Sequence, residues 1–168
     1  GVAIGYCCLQ ASSEDYARLG QLYLQDGVWN GERLLPEGWV DLVSTPPTPS
    51  HEPGASRYAH RGYGLHFWIP ENYDREFYAA GVFGQYIWMD RNRDLVIAQN
   101  AGDADWGERN VEMTAVFRAI AETVAPRVEL AARGVPYMSA SSPKDDPLPS
   151  ELTFFPSTMM SKVPDLMT

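Results

Sequence analysis

The 168-residue sequence predicts an α+β fold in which an antiparallel sheet is flanked by helices on both faces. From residue 63 to residue 99, apolar residues recur with the period of β-strands, and the short connections favour antiparallel neighbours. Segments with the period of amphipathic helices precede and follow this stretch. Residues 126–168 hold seven of the thirteen prolines and show no sustained periodicity, which predicts a disordered tail. We therefore expect residues 1–125 to form the folded part of the chain.

Composition and charge exclude several classes of function. Apolar residues make up 45% of the chain and charged residues 21%, an ordinary globular balance. The formal net charge of −9 argues against binding to nucleic acid phosphates or to anionic lipid. No stretch approaches the roughly 20 apolar residues that a membrane helix needs. The sequence thus predicts partners that are neither nucleic acid nor membrane.

The first predicted helix covers residues 13–26. Ser12 and Asp15 approximate a capping box at its start, and Gly27 follows its end. Its apolar stripe contains Tyr16, Leu19, Leu22 and Tyr23. Gly20 also lies inside this helix, where glycine costs about 1 kcal/mol relative to alanine. It therefore predicts close packing against a neighbouring element.

Two smaller elements and a loop are expected next. Residues 28–33 predict a hairpin with Asn30-Gly31 as a type I′ turn. A second helix is predicted as far as Val43, with Pro36 at its first position. Residues 45–62 contain four prolines and two histidines, which is typical of a long surface loop.

Four strands are predicted in the middle of the chain, over residues 63–69, 76–82, 85–89 and 94–99. In the third, Ile87 and Met89 point one way while Tyr86 and Trp88 point the other way. Both faces are apolar, so both should be covered. A last helix over residues 108–124 is expected to lie on the sheet through the stripe of Val111, Met113, Val116, Phe117, Ile120 and Val124.

The sequence gives no pattern for a metal or a nucleotide. The three histidines do not occur in a zinc-binding motif, and no glycine-rich phosphate loop is present. Cys7 and Cys8 are adjacent, too close for an unstrained disulfide, and are interpreted as small core residues. We therefore expect no metal and no cofactor.

A literal Ser-x-x-Lys pattern occurs at Ser141 to Lys144. In enzymes that use this pattern, the lysine lies one helical turn beyond the serine and accepts its proton. Pro143 stands between the two here, in a Pro- and Ser-rich segment. We interpret this occurrence as coincidental.

Several segments, in this order and spacing, resemble the C-terminal half of beta-lactamase-related serine hydrolases. They are residues 15–20, 26–36, 39–40, 63–64, 81–85 and 94–97. This group includes class C beta-lactamases, D-alanyl-D-alanine carboxypeptidases, family VIII-type esterases and 6-aminohexanoate-dimer hydrolases. The resemblance covers about residues 10–124, and the aminohexanoate-hydrolase and esterase branches look most similar.

The resemblance implies a reaction whose main groups lie elsewhere. The family uses a serine nucleophile, a lysine one turn later and a tyrosine, all upstream of the matched stretch. Its third motif, often Lys-Thr-Gly or His-Thr-Gly, corresponds here to Ala79-Ala80-Gly81. The missing basic residue makes penicillin-like recognition doubtful and favours an ester or amide substrate. The resemblance also implies that the chain is inactive alone and requires the N-terminal half of its own domain as a partner.

The same resemblance assigns candidate site residues. Gly81 would let a substrate carbonyl approach the strand, and the Val82 backbone N–H would be one oxyanion donor. Substrate would be bound by Ala80, Phe83, Gln85, Asp103, Asp105 and Trp106. The alternatives are that Gly81 and Gly84 only turn the chain between two strands, and that the loop with Asp103 and Asp105, here called the acidic loop, is a solvated turn before the last helix. Trp68, Tyr86 and Trp88 are interpreted as sheet packing.

Two other functions remain open on the sequence. A diverged pseudo-enzyme could act as a non-catalytic binding module for a peptide or small molecule, and the missing basic residue before Gly81 mildly favours it. The chain could also be a partner that completes another subunit's sheet through an unpaired edge strand.

Overall fold

The computed structural model describes residues 9–55, 60–107 and 109–125. Three α-helices lie in this part of the chain: α1 (Ser13–Leu24), α2 (Trp39–Val43) and α3 (Asn110–Val124), with a short 3-10 helix at Pro49–His51. The strands are β1 (Val28–Trp29), β2 (Glu32–Arg33), β3 (Arg61–Tyr63), β4 (Trp68–Pro70), β5 (Glu76–Ala80), β6 (Tyr86–Asp90) and β7 (Leu95–Gln99). The predictions for Cys7 and Cys8, for Ser141 to Lys144 and for the tail lie outside the described residues.

The predicted α+β class and antiparallel sheet are confirmed. Strands β3 to β7 form one five-stranded sheet in chain order, and every neighbouring pair is antiparallel. Strands β1 and β2 form the separate predicted hairpin, in which Asn30 and Gly31 both have positive φ. The three later strands lie within two residues of their predicted bounds.

The predicted strand over residues 63–69 is wrong. Two short strands, β3 and β4, replace it, and the chain turns between them. The Gly64 N–H donates to the Phe67 carbonyl at 2.8 Å, and His66 is left-handed with a φ of 68°. A Cβ at Gly64 would also overlap the Val43 carbonyl oxygen, so only glycine lets α2 approach this turn.

Both faces of the sheet are covered, as predicted. Ile87 and Met89 pack on one face with Phe77, Ile69 and Val40, beside residues of α1. On the opposite face, Tyr78, Tyr86 and Trp88 pack with Phe117 of α3. The alternation along β6 therefore divides the described core into two layers, one under each helix.

Helix α1 begins and packs as its sequence predicts. The Ser12 side chain accepts a hydrogen bond from the Asp15 N–H at 3.1 Å, and its hydroxyl donates to the Asp15 carboxylate at 2.6 Å. The hydrogen bond from Ser12 is the main reason that the pKa of Asp15 is lowered. Gly20 is buried, and a Cβ there would lie 2.6 Å from Val96 Cγ1. The absence of a side chain at Gly20 lets α1 lie directly on β7.

Two predictions between α1 and the sheet need correction. Helix α2 begins at Trp39, after a left-handed Gly38, and Pro36 belongs to the preceding turn. The predicted loop over residues 45–62 contains a 3-10 helix and gives its last two residues, both buried, to β3. The high proline content of this region concealed the short strand.

Helix α3 lies on the sheet through only part of its predicted apolar stripe, Met113 and Phe117, while the rest of the stripe is exposed. Phe117 is buried, whereas Val111 and Val124 are 56% and 62% exposed, and Val116 and Ile120 are also exposed. Asn110 and Ala121 are the other buried residues of the helix. Four hydrogen bonds made by the buried Asn110 side chain fix the rotation of α3 about its axis, and the apolar residues turn with it.

Candidate active site

The candidate site centres on the turn between β5 and β6, residues 81–85. The Gly81 N–H donates to the Gln85 carbonyl at 2.8 Å, and the Gly84 N–H donates to the Gly81 carbonyl at 3.4 Å. Phe83 and Gly84 are both left-handed, with φ values of 69° and 86°. A left-handed third residue and this closing bond are the pattern of a type II turn. The conformation costs Phe83 roughly 1–2 kcal/mol, so surrounding contacts must hold the turn.

The backbone N–H of Val82 points out of this turn. In a planar trans peptide the N–H is directed opposite to the C=O of the same peptide group. The Gly81 carbonyl accepts the Gly84 N–H inside the turn, so the Val82 N–H is directed outward. Within the described part of the chain it has no acceptor. The side chains of Val82 and Phe83 are 55% and 52% exposed, which leaves this amide open to a ligand.

The strand before the turn has an open edge. β4 pairs with β5 only at Trp68 and Tyr78, whereas β6 pairs with β5 as far as Ala80. On the side away from β6, no described strand lies beside residues 79–81. Among the described residues no strand blocks the approach of a substrate carbonyl to this stretch of backbone.

The structure gives Gly81 a role that the sequence did not predict. A Cβ at Gly81 would lie 2.8 Å from Gln85 Oε1 and 3.3 Å from Gln85 Cβ. A larger residue would therefore displace the Gln85 side chain, besides obstructing a substrate. The Gln85 side chain donates to the Ala101 carbonyl at 3.2 Å, so it acts here as a link between two segments.

The acidic loop after β7, residues 103–106, approaches the turn. The Asp103 N–H donates to the Phe83 carbonyl at 3.0 Å, and the Asp103 carboxylate accepts the Asp105 N–H at 3.0 Å. Arg109 lies 3.4 Å from the Asp103 carboxylate and 3.9 Å from that of Asp105. The half-exposed guanidinium therefore offsets much of the negative charge that the two carboxylates would otherwise present to a substrate.

The backbone carbonyl of Trp106 belongs to a polar network centred on the buried Asn110 side chain. The Asn110 amide donates to the carbonyls of Trp106 and Gly107 at 3.2 and 3.1 Å. Its Oδ1 accepts from Arg61 Nη1 and from the Tyr86 hydroxyl, both at 2.9 Å. Four hydrogen bonds satisfy this amide completely, so it ties the acidic loop to β3 and β6.

Three aromatic residues near the site, Trp68, Tyr86 and Trp88, pack within the sheet. Tyr86 and Trp88 are buried in the layer under α3, and Trp68 lies under the Arg61 guanidinium, 3.8 Å from its ring centroid. Burial is the main cause of the raised pKa values of Tyr78 and Tyr86. Both phenols therefore stay protonated near neutral pH and cannot act there as phenolate bases.

Sequence reasoning missed three residues of this region. The Gln99 side chain contacts the turn at Gly84, 15 residues away in the chain. The Asn110 side chain contacts the loop before α3 and also accepts from Arg61, 49 residues away. None belongs to a local motif. The only signal was a set of polar residues beside apolar runs, which does not distinguish a buried network from solvated groups.

Residues 9–55, 60–107 and 109–125 show neither a metal-binding cluster nor a membrane-spanning helix. In these ranges no three His, Cys, Asp or Glu side chains come together as a metal site would require. None of the helices described there is both long enough and apolar enough to cross a membrane.

Comparisons with known proteins agree with this architecture. No family model matches the chain. It is 28% identical over 94 residues to 6-aminohexanoate-dimer hydrolase of Paenarthrobacter ureafaciens, a match that covers 54% of this chain and 24% of that protein. A solved structure from Bacillus anthracis, to which the same activity is ascribed, matches 66% of this chain and 28% of its own, with a TM-score of 0.55 and 27% identity. The chain thus spans about a quarter of the length of these relatives. The two similarities support a relationship to the beta-lactamase-related hydrolases.

Proposed function

We propose that this chain forms the substrate-facing edge of a serine hydrolase that cleaves an ester or an amide. One observation carries the proposal: the outward Val82 N–H, with no acceptor in the described residues, lies beside the open edge of β5. An N–H so placed can stabilise the negative oxygen that develops when a nucleophile attacks a carbonyl. Removal of one such donor typically costs about 2.7–4 kcal/mol in the transition state.

An ester or an aminohexanoate-type amide fits this edge better than a penicillin does. Ala79 and Ala80 carry no charge where the family often has a basic residue, so nothing there attracts a substrate carboxylate. The exposed side chains of Val82 and Phe83 offer apolar contact to an aliphatic or aromatic group instead. The two similar proteins are named as hydrolases of the 6-aminohexanoate dimer.

The nucleophile and its base come from another polypeptide segment in this proposal. A serine hydroxyl is a weak nucleophile without an adjacent base. The only Ser-x-x-Lys of the chain is at Ser141 to Lys144, interrupted by Pro143. The chain alone is therefore inactive, and its partner is the segment that carries the serine, lysine and tyrosine of the family.

Two activity measurements test the proposal. The isolated chain is expected to hydrolyse neither a nitrophenyl ester, an aminohexanoate dimer nor a beta-lactam above a denatured control. Turnover by the isolated chain that Ser141→Ala abolishes would overturn the assignment of the nucleophile to another polypeptide segment. A chimera, in which residues 9–125 replace the matching segment of the Bacillus anthracis protein, is expected to cleave the ester or the dimer. A chimera that unfolds cooperatively but cleaves neither substrate would contradict the proposal.

A matched glycine pair tests the position of the site in the same chimera. Gly81→Val is expected to reduce turnover, because its side chain displaces Gln85 and obstructs the open edge. Gly102→Val serves as the control, since a Cβ there meets nothing within 4 Å. Equal turnover in the two variants would show that the edge at Gly81 does not face the substrate.

A further inference from the structure

The turn that carries the Val82 amide is held by groups outside it. The Gln99 side chain donates from Nε2 to the Gly84 carbonyl at 3.0 Å. The Asp103 N–H donates to the Phe83 carbonyl, and the Gln85 side chain donates to the Ala101 carbonyl. Three hydrogen bonds therefore connect residues 83–85 to residues 99–103.

Of these three hydrogen bonds, the one from the Gln99 side chain holds a left-handed residue at the end of the turn. It reaches the carbonyl of Gly84, the second of two consecutive left-handed residues. Gly84 is buried, and a Cβ on it would lie 3.4 Å from Ala101 Cβ and 3.6 Å from Asp103 Cβ. The turn thus lies directly against the segment after β7, with the Gln99 amide between them.

We propose that Gln99 is a positioning residue that fixes the turn over residues 81–85 and so the direction of the Val82 N–H. Its hydrogen bond holds the peptide group after Gly84, which keeps Phe83 left-handed and Gly84 N–H directed at the Gly81 carbonyl. The use of the Val82 amide as an oxyanion donor rests on the proposed function. The positioning itself does not, since it concerns the conformation of this chain alone.

Gln99→Met in the full chain tests the inference, because methionine has a similar volume but no donor. Asn100→Leu is the matched control: the Asn100 amide also donates to a backbone carbonyl, but to Ala11 near α1. The measurements are amide hydrogen exchange and nuclear Overhauser effects, which need no catalytic activity.

We expect Gln99→Met to raise the exchange rates of the Gly81, Gly84 and Asp103 amides about fivefold, the factor that corresponds to about 1 kcal/mol for a neutral hydrogen bond. The strong intraresidue amide–Hα effect of a left-handed Phe83 should weaken, and the Val82 amide resonance should move. Asn100→Leu should change none of these signals.

Two results would overturn the inference. One is a Gln99→Met chain whose Phe83 signal and three exchange rates equal those of the unmodified chain. The other is an equal change in Asn100→Leu, which would indicate general loosening. Neither result depends on turnover, so failure of the proposed hydrolase activity would be seen separately, in the chimera.

Discussion

The contact between α1 and the sheet predicts an unusual response to a small substitution, Gly20→Ala. Alanine at a helix interior normally stabilises by about 1 kcal/mol relative to glycine. Here the new Cβ would lie 2.6 Å from Val96 Cγ1, 3.1 Å from Val96 Cγ2 and 3.0 Å from Ile87 Cγ2. These atoms belong to short side chains in the packed layer under α1, so they cannot move aside freely.

The magnitude follows from two opposing terms. Overpacking of a well-filled core costs typically about 1–3 kcal/mol, and the gain in helix propensity offsets about 1 kcal/mol of it. We therefore expect Gly20→Ala to lower the free energy of unfolding by about 1 kcal/mol. In a Val96→Ala background only the contact with Ile87 Cγ2 at 3.0 Å remains, so the same change should stabilise by roughly several tenths of a kcal/mol, less than the full propensity gain of about 1 kcal/mol.

The assay is urea unfolding of the unmodified chain, the Gly20→Ala and Val96→Ala variants and the double variant, which form a double-mutant cycle. The free energies are comparable only if their dependence on urea concentration has the same slope in all four chains. Gly102→Ala is the control and should change stability by less than about 0.5 kcal/mol, since it meets no neighbour. A Gly20→Ala chain that is more stable than the unmodified one would refute the close approach of α1 to β7. So would a cycle without coupling between Gly20 and Val96.

Two further predictions concern buried ionisable groups. Arg118→Met should lower the free energy of unfolding by about 3–5 kcal/mol, because it leaves the buried Glu76 carboxylate without the guanidinium that lies 2.8 Å away. Adding Glu76→Gln to the same chain should restore much of this loss. Chemical denaturation of the single and double variants measures both values, and equal losses in the two would contradict the prediction. Burial raises the pKa of Tyr78 above its value of about 10 in the unfolded chain. The buried, protonated phenol therefore contributes fully to the free energy of unfolding below a pH of about 10, and this contribution is lost progressively as the pH rises further. Tyr78→Phe should therefore flatten the alkaline fall in the unfolding midpoint, and an unchanged slope would count against a buried phenol.

Local chemistry explains which parts of the fold could be predicted. The cap at Ser12, the Asn30-Gly31 turn and the alternation along β6 each depend on residues close together in the sequence. Gly20 also gave a correct expectation, because glycine inside a helix is costly unless a neighbour requires it. Such signals are readable without knowledge of the tertiary structure.

The errors arose where tertiary contacts decide. Residues 63–69 alternate like a strand, but the approach of α2 to Gly64 and a left-handed His66 break it in two. The rotation of α3 is set by Asn110, whose partners include Arg61 and Tyr86, far away in the chain. An apolar stripe alone could not reveal that a buried amide would determine which face meets the sheet.

The candidate site was predictable only in part, for the same reason. The resemblance located residues 81–85 and the acidic loop, and the structure brings them together through the Asp103 N–H. The link from Gln99 depends on the register that places the end of β7 beside Tyr86. The ion pairs of Arg109 depend on how the segment after β7 folds back. No local pattern in the sequence encodes that path.

The central claim is that the Val82 N–H is an oxyanion donor, and Val82→Pro in the active chimera tests it most directly. Proline removes this one N–H, which has no acceptor in the described residues, and it is favoured at the second position of a type II turn. The turnover number for the nitrophenyl ester should therefore fall by a factor of about 10²–10³, while the unfolding midpoint stays within error. A Val82→Pro chimera that is equally stable and cleaves the ester at the unmodified rate would contradict the claim.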